Sequence, residues 1–394
     1  MLTFEAFTGI NNVVPEHRMK GSDMVQALDV DIGLTGEVSR RGGFTEVADT
    51  CHKNLHDAHG YPATGFQLAT TGDALVAIHP NGDRYTIHPS MGSGRVWYCD
   101  LPDGRTTFAN GLLHGITDGF TGRDHGVAPP ETLGVADAAF GALHPGNYRY
   151  ELTMRRLADG VESPSITSEP IAITQGGLRL SGLPEREGHE VLVHLTHQDG
   201  EVAFLVGSTT TGAFEWGGKN EDIPVSPCRT TATQPFPVGT ITAFWRGRLL
   251  VAVGKTLWAS RPGNPHLSEW RAFKQFSADI TLVQPVDDGI YVGTTDDLIW
   301  LGGATWEALA YRPTRSGPVV LGSGVEAPGD QIRLGDGSGA GTAMVCIAGG
   351  FVVAGLSGGV ISNLTDKRYR TGATEVAATF RLVNDIPQYI AAPQ

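Results

Sequence analysis

The chain has 394 residues, 40 % of them hydrophobic and only 18 % charged, with 53 glycines and 23 prolines. That balance suits many short strands joined by tight turns and excludes long helices as the main building block. The formal charge of −13, with no lysine- or arginine-rich run, disfavours a groove that grips nucleic-acid phosphates.

An extended N-terminal arm, residues 1–45, comes first, rich in turn signals and poor in core periodicity. A hairpin pattern then recurs: a turn, an apolar strand, a second turn and another apolar strand. It reads Gly72–Ile78 before Asn81–Tyr85, Arg248–Gly254 before Thr256–Trp258, Asp288–Gly293 before Leu298–Trp300, and Gly349–Gly355 before Gly359–Ile361. Weaker copies occupy Asn110–Gly119 and Val376–Ile390. A spacing near ~40 residues is that of a four-stranded propeller blade, and the copies together predict roughly six blades.

Residues 146–230 break this rhythm. Asn147–Met154, the turn Asp159-Gly160-Val161-Glu162-Ser163-Pro164, Leu192–Leu195 and Ala203–Gly207 read as alternating strands of a fibronectin-III-like β-sandwich. Pro129-Pro130 before it, and Pro224, Pro227, Pro235 and Pro237 after it, read as stiff linkers. The predicted fold is therefore all-β: arm 1–45, first part of a β-propeller-like domain 46–145, inserted sandwich 146–230, second part 231–394.

Cys51, Cys99, Cys228 and Cys346 are far apart and are expected as free thiols made in a reducing cytoplasm. The N-terminus has no leader pattern, and the longest apolar stretch, Met344–Leu356, is interrupted by Gly349-Gly350, so no membrane contact is expected.

Several clusters invite chemistry, and each has a plainer reading. Cys51, His52, His56, Asp57 and His59 resemble a metal set if His52 and His56 share a helical face, but no second ligand pair stands out and a polar loop is expected. Gly355-Leu356-Ser357-Gly358-Gly359 fits a nucleophile elbow, yet a following strand predicts a hairpin turn. Asp287-Asp288 and Asp296-Asp297 bracket one hairpin without calcium-loop spacing, and are read as solvated turns. The run Gly335–Gly341 lacks the ending of a phosphate loop. Asn363-Leu364-Thr365 matches a glycosylation acceptor that a cytoplasmic chain would not use. Trp245, Trp258, Trp270, Trp300 and Trp306 suggest a sugar platform only if exposed, and packing between blades is expected for most. No catalytic, cofactor-binding or metal-ligating residue is predicted.

Three segments carry a family resemblance. Gly9-Ile10-Asn11-Asn12-Val13-Val14-Pro15, Ala27–Ile32 and Gly36–Phe44 resemble the opening of a group of tailed-bacteriophage virion proteins, with Asp29, Gly33 and Gly42 standing where that group has Asn, Asp and Pro. Ala243–Ala252, Ser260–Leu267 and Pro285–Gly293 form the second segment, Asn363–Thr365 and Ile386–Ile390 the third. Together they resemble the β-propeller tail hub, nozzle or packaged-DNA stabilisation proteins.

The resemblance implies a non-enzymatic virion protein, made in the host bacterial cytoplasm, that forms a ring with copies of itself, expected as a hexamer. Its neighbours would be portal or adaptor and other tail proteins. Double-stranded DNA would pass transiently through the ring, retained and then released. Two alternatives stay open: a receptor- or glycan-binding tail protein, and a propeller glycosidase or lyase. The acidic balance further predicts that Asp and Glu outnumber Lys and Arg along the DNA channel, where repulsion acts over about 8–10 Å at physiological salt.

Overall fold

A computed structural model describes residues 6–33, 35–43, 45–46, 50–137, 140–174, 176–334, 337–383 and 386–394. The fold is all-β, with helix confined among these residues to single 3-10 turns such as Glu16–Arg18 and Asn220–Asp222.

Five four-stranded antiparallel sheets follow one another up and down. The first holds Lys53–Ala58, Phe66–Thr71, Ala74–Ile78 and Arg84–His88. The second holds Trp97–Asp100, Thr106–Ala109, His114–Thr117 and Gly122–Asp124. After the insert come Thr242–Trp245, Arg248–Val253, Thr256–Ala259 and Phe273–Gln275. The fourth sheet holds Ile280–Val286, Gly289–Thr294, Leu298–Gly302 and Ala310–Pro313, and the fifth Val325–Pro328, Thr342–Ala348, Phe351–Leu356 and Val360–Asn363.

These sheets stack as propeller blades, the third and fourth burying both faces against their neighbours. The middle strands show it: Gly289–Thr294 is buried at every position, where a sheet with one wet face would alternate. Phe66, Leu68 and Val96 with Phe108 join the first blade to the second, and Leu101 and Ile116 with Leu249 and Val251 join the second to the third. Leu250 and Leu257 meet Ile290 and Leu301 between the third and fourth. Tyr291 and Trp300 meet Met344 and Val353 between the fourth and fifth. There the Tyr291 ring lies so close to Gly355 that an added Cβ would come within 2.6 Å of its Cζ, while the phenol donates to the Leu356 carbonyl at 2.6 Å. Burying this tyrosine therefore strands no polar group.

Where roughly six blades were expected, the described residues form five four-stranded blades, the sixth four-stranded sheet belonging to the insert. The weak copy at Asn110–Gly119 supplies a strand of the second blade, whereas Val376–Val383 and Ile386–Pro393 form a two-stranded hairpin alone. This hairpin occupies the remaining gap. Phe380 and Tyr389 pack on the fifth blade's buried cluster of Ala327, Ala343, Val345 and Ala354, and the Tyr389 phenol donates to the Ser323 carbonyl at 2.7 Å. On the other side Arg95, just before the second blade, pairs with Glu375 at 3.1 Å and donates to the Val376 carbonyl at 3.0 Å.

The insert is a two-sheet sandwich. Ile166–Thr167, Tyr150–Arg156, His189–Thr196 and Ala203–Thr209 make one sheet in that order, and Val135–Asp137, Leu178–Ser181 and Ala213–Trp216 the other. Tyr148, Leu152, Met154, Leu180, Val193 and Leu195 fill the space between. Its first strand lies upstream of the expected start at residue 146, and the core draws in Val127 and Leu133 as well. The segment after it is more than a linker: Thr233–Pro235 pairs with Leu267–Glu269 of the propeller.

In the arm, only Asn11 and Gly36 are buried among the described residues. Val30–Ile32 pairs with Val38–Arg40 across a tight turn. Gly36 closes that turn at φ +82°, and a Cβ there would come within 2.6 Å of Ala6 and 2.8 Å of the Phe7 nitrogen, so glycine lets the start of the arm lie against the turn.

Candidate functional site

The first strands of the five blades converge on a central cavity of about 560 Å³, and Ala378, Thr379 and Phe380 of the closing hairpin form part of its wall. Polar side chains on its wall include His56 from the first blade, Tyr98 and Asp100 from the second, Thr242 from the third, Gln284 from the fourth and Glu326 from the fifth. No lysine or arginine lines it among the described residues.

His56 stacks on the Tyr98 ring with centroids 5.0 Å apart, and its Nε2 lies 3.0 Å from Asp100 Oδ1. Asp100 also accepts from Thr106 at 2.8 Å and from the His59 backbone N–H at 3.3 Å. Burial works to raise the Asp100 carboxyl. The His56 hydrogen bond and charge, with the Thr106 and His59 donors, outweigh it and hold the pKa below the ordinary value. Glu326 moves the other way, raised by burial and by the charge of Asp287. One cavity thus holds a carboxylate fixed by three partners with its pKa lowered and a second with its pKa raised.

The segment expected as a polar metal-like loop is instead mostly a strand, Lys53–Ala58. Alternation carries His56 inward toward the cavity, while His52, just before the strand, bonds Thr71 at 2.8 Å and lines a separate groove. The helical spacing of His52 and His56 therefore brings nothing together, and Cys51 is exposed.

Ser357 lies in the hairpin turn expected of it, between Phe351–Leu356 and Val360–Asn363. Asp287-Asp288 and Asp296-Asp297 sit at opposite ends of the strand Gly289–Thr294, a separation of roughly 20 Å at about 3.3 Å per residue. Each pair is used locally: Asp288 accepts from the Gly358 N–H at 2.6 Å, and Asp297 from the Arg315 and Gly317 N–H groups at 3.0 Å. Of the glycine-rich run, Gly335 and Asp336 fall outside the described residues; Gly337–Ser338 pairs with Arg333–Leu334. The Asn363 side chain caps the Thr365 N–H at 3.2 Å. Trp245, Trp300 and Trp306 are buried and Trp258 packs toward the second blade, leaving Trp270 as the exposed ring, 61 % accessible, with Arg271 over its face.

The arm motif has a structural role that sequence alone did not assign. Asn11 accepts from the Val13 and Val14 N–H groups and donates to Asp23 at 3.0 Å, shaping the turn. Asn12 seats the arm on the segment after the fifth blade: its amide donates to the Arg370 carbonyl and accepts the Arg370 N–H, both at 2.8 Å. Arg368 donates to the Thr8 carbonyl at 2.6 Å. The signal was present in the paired asparagines, but Asn12's partner Arg370 lies 358 positions away.

No protein-family model matches the chain, and no curated protein matches it. Among solved structures, a streptogramin B lyase is similar over 87 % of this chain and 95 % of its own, with 7 % identity and a TM-score of 0.34. BBS1N in complex with ARL6DN is similar over 89 % and 92 %, with 12 % identity and a TM-score of 0.31. Apo AztD from Citrobacter koseri is similar over 78 % and 72 %, with 9 % identity and a TM-score of 0.30. Likenesses this distant carry nothing about activity.

Proposed function

We propose that the chain is a structural, non-enzymatic subunit of a phage tail, part of a head-to-tail hub or nozzle. Copies of it form a ring, a hexamer by the resemblance, against portal or adaptor and other tail neighbours. The ring borders the channel that retains the packaged genome and releases it at infection. In this reading it is made in the host bacterial cytoplasm and works in the virion.

One observation carries the proposal: the arm has no core of its own. Leu28 is 72 % exposed and Val25 60 %, and the arm is held to the propeller chiefly by the Asn12, Arg368 and Arg370 hydrogen bonds. A segment that cannot bury its apolar side chains within the monomer gains order by burying them against a neighbour, which couples its folding to assembly. The formal charge of −13 per copy, repeated around a ring, supports a wall that repels duplex DNA.

The test compares the full chain with a version lacking residues 1–45, by mass photometry and electron microscopy under assembly conditions. Rings from the full chain, monomers with an unchanged melting curve from the shortened one, and negligible duplex binding at physiological salt are the expected results. A full chain that stays monomeric with its tail neighbours present, or that grips duplex DNA in a salt-sensitive way, refutes the proposal.

A second reading, a propeller glycosidase, is favoured by Asp100 and Glu326 lining one cavity with their pKa values moved in opposite directions. Release of reducing sugar from host surface polymer, abolished by both Asp100→Asn and Glu326→Gln, would establish it in place of the first.

A further inference from the structure

The sandwich meets the propeller at a cluster that the tail reading does not use. His194 stands on His189–Thr196, at a bulge between Val193 and His194 that interrupts the pairing with Ala203–Thr209. Such bulges re-aim a side chain. His194 is only 3 % exposed, and its Nδ1 is buried without a hydrogen-bond partner. A buried polar atom left unpaired forfeits its hydration without replacement, so an orphan of this kind calls for an explanation.

Two further groups converge on it. Glu162 comes from the turn after Tyr150–Arg156, where its Oε1 accepts the Thr153 hydroxyl at 2.7 Å. Cys228 comes from the segment leaving the sandwich, anchored by its backbone N–H on the Ala203 carbonyl at 2.8 Å. One ligand atom each from Glu162, His194 and Cys228 lie within 4.8 Å of one another.

We propose that Glu162, His194 and Cys228 form a binding site for a thiophilic divalent cation, Zn²⁺ by its chemistry, that clamps the sandwich to the propeller. A thiolate, an imidazole and a carboxylate suit zinc, whose bonds of about 2.3 Å to sulfur and about 2.1 Å to nitrogen and oxygen put tetrahedral ligand atoms roughly 3.5 Å apart. On binding, the Cys228 thiol releases its proton to solvent, and the thiolate and Glu162 carboxylate neutralise the ion. The fourth position is left to water, reached through the cleft that Glu162 lines with Arg261 and His266.

The surroundings agree. Buried Glu151 accepts the Thr231 hydroxyl at 2.7 Å and adds negative charge close by. The Glu162 carbonyl also bonds His266 of the propeller at 3.1 Å, so an ion at this point ties together the sandwich sheet, its exit segment and the propeller.

Cobalt substitution and zinc titration of the full chain test this. Equimolar binding at micromolar metal is expected, with a thiolate-to-cobalt charge-transfer band that persists in Cys51→Ser and vanishes in Cys228→Ser. His194→Gln should weaken zinc at least tenfold. The wild-type chain gives a second readout that needs no variant to fold: zinc should shield Cys228, and not exposed Cys51, from alkylation mapped by mass spectrometry. Failure to bind at micromolar zinc overturns the proposal, as does equal alkylation of Cys228 with and without zinc, or a cobalt band lost only in Cys51→Ser.

Discussion

The arm and the third blade are built from opposite forces, although both are strands and turns. In the blade, Leu249, Leu250 and Val251 are fully buried in consecutive positions, because the second and fourth blades cover its two faces. In the arm, Val25 and Leu28 face solvent, and side-chain amides clasp backbone groups instead. The difference shows which contacts hold the monomer together and which position it for a neighbour. Burial of a leucine stabilises by about 1.5–3 kcal/mol, whereas an exposed hydrogen bond contributes about 0.5–1.5 kcal/mol.

The largest expected effect tests the blade. Leu250→Ala opens a cavity between the third and fourth blades and should cost about 2–5 kcal/mol of unfolding free energy in a urea melt. A loss no greater than that of an exposed substitution such as Leu28→Ala would break the comparison.

The second prediction concerns buried polar groups inside the blades. His114 and His125 stack at 4.1 Å, and burial holds the pKa of His114 down to about 4 and that of His125 well below its ordinary value. Unfolding returns these imidazoles to about 6.5, so the unfolded chain takes up protons first as pH falls. Stability is therefore full above about pH 6.5 and is lost toward pH 4, on the order of 3 kcal/mol for a shift like that of His114. Urea midpoints between pH 7.5 and 4.5 should fall accordingly, and His114→Leu should flatten the slope. A pH-independent midpoint over that range would show that these rings are solvated.

The smallest effect on global stability belongs to Asn12→Ala. The melting temperature should stay unchanged, while amide exchange around residues 9–14 should quicken about tenfold, the equivalent of about 1.4 kcal/mol of local opening. A lowered global melt would mean that the arm belongs to the monomer's own fold after all.

Much of the architecture was legible in the chain. Short apolar runs bounded by glycine turns marked the strands around Ala74–Ile78, Arg248–Val253, Gly289–Thr294 and Phe351–Leu356, because run length and turn chemistry are local properties of the chain. Alternation in Lys53–Ala58 held the right answer for His56, but the helical spacing of its histidines drew attention away from it. The sandwich's central strands could be read, while Val135–Asp137 could not, because so short a strand is defined by its partner Leu178–Ser181.

The sequence by itself determined an all-β chain of repeated hairpins, an insert and an arm without a core. Only tertiary structure decided that Val376–Pro393 closes the ring as a lone hairpin, that Asp100 and Glu326 share a cavity, and that Glu162, His194 and Cys228 meet. The physical reason is range. Strand and turn preferences act over a few residues and leave a local pattern, whereas blade closure and side-chain convergence depend on packing between segments far apart in the chain.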